Sequence, residues 1–215
     1  MTYDLNRHIG RLLTEEPFWA ALSCRLPKIA CNKIPTACVA YNTETEKMIM
    51  KYNPDFFGQL SAVHVRGIIK HEFFHIIFDH CTTRGEKENQ MAWNYSTDLA
   101  INSIIGKAEL PTKWTRTVTN NGKESKVVCQ PLFPQQEGTD WEFLDWNRTS
   151  EYYYSHLRDK VKDSGGSGTF DGASEAHDEW AEDNPIAKEQ VKDAIKKAAK
   201  EAEAAKQADS DAAVP

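Results

Sequence analysis

The start of the chain carries hydrophobic positions at helical spacing. Between residues 4 and 25, apolar side chains recur every three or four positions, with an interruption near Pro17, and this pattern predicts two short helices. Residues 34–41 and 47–52 instead show β-branched or alternating apolar residues on either side of the polar run 42–46. Such runs around a short polar loop predict an antiparallel hairpin, and hence a small sheet.

Two longer amphipathic segments follow the hairpin. Ser61 is suited to cap a helix that continues to about residue 79, since a serine hydroxyl accepts a hydrogen bond from a backbone N–H of the first turn. The apolar surface of this helix is broad. After a polar break at residues 84–89, a second helical pattern runs through residues 93–105. The two helices are therefore expected to face each other across a short loop.

Residues 113–129 predict a second hairpin. Asn121 and Gly122 stand between two arms rich in Thr and Val, and both residues tolerate the positive φ that a two-residue turn needs. Farther along, residues 163–172 contain almost no apolar side chains, which predicts a mobile loop.

The last helical pattern is rich in Ala, Lys and Glu and covers residues 186–206. Its apolar face is weak and the tail after it is polar, which suggests an appendage rather than part of the core. The predicted organisation is one domain over residues 1–183, followed by a C-terminal helix and polar tail over residues 184–215.

Composition, charge and cysteine spacing argue against several classes of protein. A chain of 215 residues with 40% hydrophobic residues supports one compact domain, and a net charge of -6 argues against a nucleic-acid-binding surface. The five cysteines form no CxxC pair, so reduced thiols are expected rather than disulfides or a thiolate metal site. No apolar stretch resembles a signal peptide or a membrane span, which predicts a cytoplasmic protein without a membrane partner.

The principal chemical motif is HEFFH at residues 71–75. His71 and His75 are four residues apart on the predicted helix, so both imidazoles can point toward one ion. Zinc suits imidazole nitrogen, and a catalytic zinc site needs three protein ligands and one open position. Glu72 is then placed to accept a proton from metal-activated water.

The third ligand is predicted on the following helix. Asp98 lies 23 residues after His75, and Asn102 follows it by one turn on the same face. This arrangement resembles that of gluzincins, in which an acidic ligand on a later helix precedes a residue that orients the first histidine. Asn102 would thus fix the tautomer of His71. His80 is the alternative ligand, but on a continuing helix it points about 140° away from His75, so a capping or supporting role is favoured.

Later segments offer side chains that could donate to an oxyanion. A phenol or imidazole close to the metal can stabilise the negative charge that develops on the carbonyl oxygen. For each of them packing or simple solvation is the alternative role, and the pattern selects none. The candidates are Tyr152, Tyr153, Tyr154, His156, His177 and Trp180.

Five segments, in order, resemble one known family. They are IPTACVAYN, KYNPDFF, HEFFHIIFDHCTTRG, WNYSTDLAIN and TSEYYYSHL. Together they resemble, over about residues 5–180, the zinc metallopeptidase domain that precedes a von Willebrand factor A-like domain in many bacterial proteins. The resemblance implies a zincin-like fold and a zinc ion, but no particular substrate. The usual second domain is not expected, because the sequence ends after the Ala-rich helix.

These observations predict an α+β, zincin-like domain with N-terminal helices, a small antiparallel or mixed sheet, a zinc helix and a following ligand helix. The expected function is zinc-dependent hydrolysis of a peptide or protein substrate, with Glu72 as general base and later as proton donor to the leaving amine. One alternative is a zinc-containing module that binds proteins without cleaving them. Another is a hydrolase of a non-peptide amide, which shares the same metal chemistry. The substrate, the oligomeric state and the pathway are left open.

Overall fold

The computed structural model describes residues 3–81, 87–120, 123–161 and 185–212. Within these residues the fold is mixed α and β, with seven helices, a three-stranded sheet and a two-stranded sheet. The α+β class predicted from the sequence is thus confirmed. Among the described helices, none combines the length and hydrophobicity that crossing a bilayer requires. In chain order the elements are α1 (Asn6–Glu15), α2 (Pro17–Arg25), β1 (Lys28–Ala30), β2 (Ala37–Asn42), β3 (Lys47–Tyr52), α3 (Pro54–Phe57), α4 (Ala62–Ile77), α5 (Gln90–Ile105), β4 (Trp114–Asn120), β5 (Lys123–Cys129), α6 (Ser150–Leu157) and α7 (Pro185–Ala212).

The N-terminal half forms as its pattern predicts, with one added strand. Pro17 occupies the first turn of α2, where a missing N–H breaks no intrahelical bond, and it separates α2 from α1. β2 and β3 form the predicted antiparallel hairpin. β1 pairs in parallel with the other side of β3, so the strand order is β1-β3-β2. A three-residue strand is too short to show a hydrophobic period, which is why the sequence pattern misses it.

The helices α4 and α5 both begin at a side-chain cap. The hydroxyl of Ser61 accepts from the backbone N–H of His64 at 3.3 Å, and the amide oxygen of Asn89 accepts from that of Ala92 at 3.0 Å. Each cap satisfies an N–H that a helix start leaves without an intrahelical partner. α5 therefore begins almost one turn earlier than its hydrophobic pattern predicts. α4 ends at Ile77, slightly before the predicted end.

Two apolar clusters meet at α4 and α5. The first joins α1, α2, the β2–β3 hairpin, α4 and α7, and includes the fully buried Val65, Ile69 and Phe73 of α4. The second joins α5, α6 and the loop between β5 and α6, and includes the fully buried Leu99. Polar side chains at the contact between α4 and α5 consequently lie between two apolar cores, where water is largely excluded.

A charged cluster ties α4 to its neighbours. Lys70 is 6% exposed. Its ammonium group lies 3.1 Å from both carboxylate oxygens of Glu16, and it also contacts the carboxylate of Glu109. Gly67 lets the loop after α5 come close, because a Cβ there would lie 1.9 Å from the carbonyl oxygen of Glu109. Since a buried cation needs such partners, these contacts hold α4 against the α1–α2 junction and the loop after α5.

The C-terminal helix α7 packs on the body of the domain. It contacts α2 and β3, and Ala187 and Ala198 are completely buried in the first apolar cluster. The guanidinium of Arg25 pairs with the carboxylate of Glu201. The interpretation of residues 186–206 as an appendage is therefore wrong, because small alanine side chains allow close helix packing even where the apolar face is weak. The domain boundary placed before this helix is not tested and stays a prediction.

The second predicted hairpin is present as β4 and β5, which pair antiparallel along their whole length. Its predicted turn at residues 121–122 lies outside the described residues. The same holds for the predicted loop at residues 163–172 and for His177 and Trp180.

Candidate metal centre

Two imidazoles on α4 converge on one point. His71 and His75 lie four residues apart within α4, so their side chains share one face of the helix. Their Nε2 atoms are 3.0 Å apart. His75 is completely buried, whereas the side chain of His71 is 12% exposed. Of the two rings, His71 is thus the one that solvent reaches.

The helix α5 brings a carboxylate to the same point. The Oδ1 atom of Asp98 lies 3.5 Å from Nε2 of His71 and 3.4 Å from Nε2 of His75. Donor atoms at the corners of a tetrahedron, each about 2.05 Å from its centre as in zinc sites, are separated by about 3.3 Å. The three observed separations lie on both sides of this value. These three donors, which we call the ligand cluster, can therefore hold a metal ion, and their separations bracket the value expected around zinc.

The ring of His71 is held from behind by an amide. Its Nδ1 lies 2.7 Å from Oδ1 of Asn102, and the Nδ2 of that amide donates to the carbonyl oxygen of Leu132 at 2.9 Å. Because the amide nitrogen faces a carbonyl, the amide oxygen faces His71 and accepts a proton from Nδ1. The Nε2 of neutral His71 then carries the lone pair that a metal ligand needs.

The turn after α4 places His80 behind His75. Asp79 adopts the left-handed conformation, with φ of 59°. Its N–H donates to the carbonyl oxygen of Ile76 at 3.1 Å, and the N–H of His80 donates to that of His75 at 2.9 Å. These two bonds form a Schellman motif, which reverses the chain at the helix end. As a result, Nδ1 of His80 lies 3.2 Å from Nδ1 of His75, on the side of the ring opposite to the ligand cluster.

Glu72 is buried beside the ligand cluster, at 4% exposure. Burial raises the pKa of Glu72 to about 7; the charge of Asp98 adds to the rise, while His71 and a hydrogen bond from the backbone of Val39 oppose it. Within the described part of the chain, Oε2 of Glu72 has no hydrogen-bond partner. A carboxyl group with a pKa near neutrality and one open oxygen is suited to take up and release a proton.

The two histidines of the cluster hold protons differently. Burial lowers the pKa of His71, but the hydrogen bond and charge of Asp98 outweigh burial and raise that pKa to about 9. Burial, together with the charge of His71, lowers the pKa of His75 to about 4 against the attraction of Asp98. The cluster thus favours one positive charge beside Asp98. A metal ion bound at this point would displace that proton.

The tyrosine-rich helix α6 uses its side chains mainly in packing. Tyr153 is fully buried in the second apolar cluster, and its hydroxyl donates at 2.7 Å to a backbone carbonyl of the preceding loop. The hydroxyl of Tyr154 accepts from the backbone N–H of Asn89 at 3.3 Å. The rings of Tyr152 and His156 contact each other. Because these contacts join them to groups other than the three donors, an oxyanion role for any of them stays a prediction.

Two partners of the site carry no recognisable sequence signal. The carbonyl of Leu132 lies 30 positions from the Asn102 amide that it accepts from. The hydroxyl of Ser150 lies 3.0 Å from Nε2 of His80, although the two residues are 70 positions apart. A backbone carbonyl and a serine at the start of a helix are ordinary features, so only a spatial neighbour gives either of them a role.

Comparison with known families adds one finding. The model of the family described as "putative metallopeptidase domain" matches residues 1–214. Among curated proteins and among solved structures, none matches the chain. The family match covers nearly the whole sequence and includes every residue of the ligand cluster. The chain therefore belongs to the putative metallopeptidase domain family.

Proposed function

We propose that this protein is a zinc-dependent peptidase with a zincin-like fold. The observation that carries the proposal is that the donor atoms of His71, His75 and Asp98 lie within 3.5 Å of one another. Membership of a metallopeptidase family supports both a metal and peptide-bond hydrolysis. When bound, zinc supplies a Lewis acid for the peptide carbonyl and lowers the pKa of water.

The three donor side chains have distinct tasks in this proposal. His71 and His75 would hold the ion through Nε2, since the other nitrogen of each ring is engaged by Asn102 or His80. Asp98 contributes a negative charge, which partly offsets the charge of the dication between two neutral imidazoles. Three protein donors are the number found in catalytic zinc sites, which keep one further position open for water or substrate.

Glu72 carries the proton transfers. It accepts a proton from the attacking water and later donates it to the leaving amine of the cleaved peptide. The Oε2 atom, buried and without a hydrogen-bond partner in the described chain, is the acceptor available for that proton.

The test combines metal analysis with an unbiased peptide-library cleavage assay on the wild-type protein and on Glu72→Gln. We expect about one zinc per chain in both proteins, with cleavage abolished only in the variant, because glutamine keeps the volume but cannot act as a base. Glu189→Gln makes the same change at an exposed position of α7 and should leave both readings unaltered.

Other outcomes would contradict the role of Glu72, the catalytic activity or the substrate class. Loss of zinc in Glu72→Gln would make Glu72 a ligand, and full activity in that variant would remove its role as the base. Zinc in the wild-type protein without cleavage of any library member would favour a binding module. Cleavage of a non-peptide amide alone would change the substrate class.

A further inference from the structure

His75 is the start of a chain of hydrogen-bonding groups that leaves the metal centre. Its Nδ1 lies 3.2 Å from Nδ1 of His80, and Nε2 of His80 lies 3.0 Å from Oγ of Ser150. The exposed fractions of the three residues are 0%, 0% and 3%. At such burial, a polar atom that loses its partner cannot exchange it for bulk water.

The positions of the protons along this chain follow from the role of His75. Two nitrogens that face each other can share only one proton, so one donates and the other accepts. If Nε2 of neutral His75 is to bind a metal, its proton must be on Nδ1, and Nδ1 of His80 must accept it. Neutral His80 then carries its own proton on Nε2 and donates it to the hydroxyl of Ser150.

Ser150 is available for this contact because its neighbour performs the usual task of a helix start. The hydroxyl of Thr149 caps α6 by accepting from the N–H of Tyr152 at 3.3 Å. The ring of His80 is further confined by the indole of Trp93, which meets it edge-on with centroids 5.8 Å apart. His80 is thus fixed by packing against an indole and by a hydroxyl at its far nitrogen.

We propose that His80 and Ser150 are positioning residues, which together fix the tautomer and the ring orientation of the ligand His75. We call His75, His80 and Ser150 the histidine relay. The relay fixes the tautomer of His75, just as Asn102 and the carbonyl of Leu132 fix the tautomer of His71. The relay ties the second ligand to α6, a helix that contributes none of the three donor atoms. This inference rests on the proposed zinc centre.

The affinity test is competitive chelator titration of zinc on the full-length protein. Ser150→Ala is expected to weaken zinc binding by about tenfold, at the lower end of the losses seen when a partner of a ligand is removed. Ser155→Ala makes the same change at an exposed serine of the same helix and should bind like the wild type. His80→Leu, which removes the acceptor, should weaken binding by about a hundredfold. His80→Asn, whose amide oxygen can replace Nδ1 as acceptor, should recover part of that loss.

A second readout reports the protons themselves. Nitrogen-15 NMR of the imidazoles in the zinc-loaded wild type should show His75 protonated at Nδ1 and His80 protonated at Nε2. A role in packing alone predicts neither this pair of tautomers nor the rescue by His80→Asn. If His80→Leu fails to fold, Ser150→Ala and the tautomer measurement still decide.

The possible failures are distinguishable. A wild-type protein that binds no zinc overturns the proposed function and the relay with it. Zinc binding by the wild type, with unchanged affinity in Ser150→Ala and His80→Leu, overturns the relay alone. A proton on Nδ1 of His80 in the zinc-loaded protein does the same.

Discussion

The helices α5 and α7 both pack on the same domain, but α5 buries many polar side chains beside its apolar ones, whereas the buried side chains of α7 are small and apolar. α5 buries polar groups, among them Asp98 and Asn102, between two apolar clusters. α7 buries alanines, of which Ala187 and Ala198 are completely covered. Because burying a polar group is unfavourable unless it is bonded, every buried polar side chain of α5 needs a partner in place, whereas α7 needs only a surface of matching shape.

Because of this difference, α5 determines the geometry of the site, whereas α7 contributes to the stability of the fold. The amide of Asn102 is bonded at both ends, to His71 and to Leu132, and Asp98 lies against both histidines of α4. These groups therefore set the geometry of the cluster. The buried face of α7 contributes apolar area, which stabilises the domain without specifying an orientation at the metal centre. Substitutions in α5 and the removal of α7 should therefore have different effects on zinc affinity and on stability.

We expect the largest effect on zinc affinity from removal of the Asp98 carboxylate on α5. Asp98→Ala should weaken zinc binding by far more than the roughly hundredfold maximum typical of supporting residues, because it removes a ligand and its charge. Chelator titration measures the affinity, and circular dichroism checks the fold. The control is Asn94→Ala, a buried polar residue one turn earlier on α5. Normal zinc binding by Asp98→Ala, with loss of zinc in His80→Ala, would make His80 the third ligand.

Removal of α7 should mainly lower the stability of the fold and have little effect on zinc affinity. Truncation after residue 184 should lower the free energy of unfolding by roughly 3 kcal/mol, since α7 buries alanines and packs the partly buried Val191 and Ile195 against the first apolar cluster, and each buried CH2 group contributes about 0.8 kcal/mol. Urea denaturation measures the loss, and zinc affinity should change less than tenfold. Unaltered stability would restore the interpretation of the helix as an appendage. A large loss of zinc affinity would show that α7 also supports the metal centre, with the contact between Lys188 and Asp79 as the link to examine.

A supporting residue of α5 should have an intermediate effect. Asn102→Ala should weaken zinc binding by about tenfold to hundredfold, because the Nδ1 of His71 loses its acceptor while the three donors remain. Ser103→Ala, at a buried serine beside it, should leave the affinity unchanged. Equal affinities in the wild type and Asn102→Ala would show that packing alone orients His71.

The smallest effect is expected at the surface of α7. The hydrogen bond and charge of Arg25 lower the pKa of Glu201 below its ordinary value of 4.5. The folded protein thus holds the proton of Glu201 less tightly than the unfolded chain, so the pair stabilises above the unfolded pKa and this contribution is lost as pH falls through the folded pKa. Glu201→Gln should slightly lower Tm at pH 7, and its difference from wild type should shrink as the pH falls below 4.5.

The control for the surface pair is Glu203→Gln, an exposed position on the same helix. It makes the same charge change and should leave Tm at the wild-type value throughout this pH range. An equal loss of Tm in both variants would assign the effect to net charge and not to the pair with Arg25.

Local features of this protein could be predicted from the sequence because backbone geometry determines them. The four-residue separation of His71 and His75 places them on one helical face wherever that helix lies. The Ser61 cap and the β2–β3 hairpin likewise depend on neighbouring residues, and the structure contains both. The fold class followed from these elements, and so did the expectation of a metal on α4.

The positions of His80, Ser150 and α7 depend on which surfaces pack together, and no local pattern in a single sequence encodes that choice. The left-handed Asp79 ends α4 and turns His80 toward the back of His75, where extrapolation of the helix points it elsewhere. The contact with Ser150 spans 70 positions. The hydrophobic pattern does not predict the docking of α7, because alanine contributes little apolar area to the pattern. Small side chains allow two helices to approach each other closely, and only the tertiary structure shows where they do so.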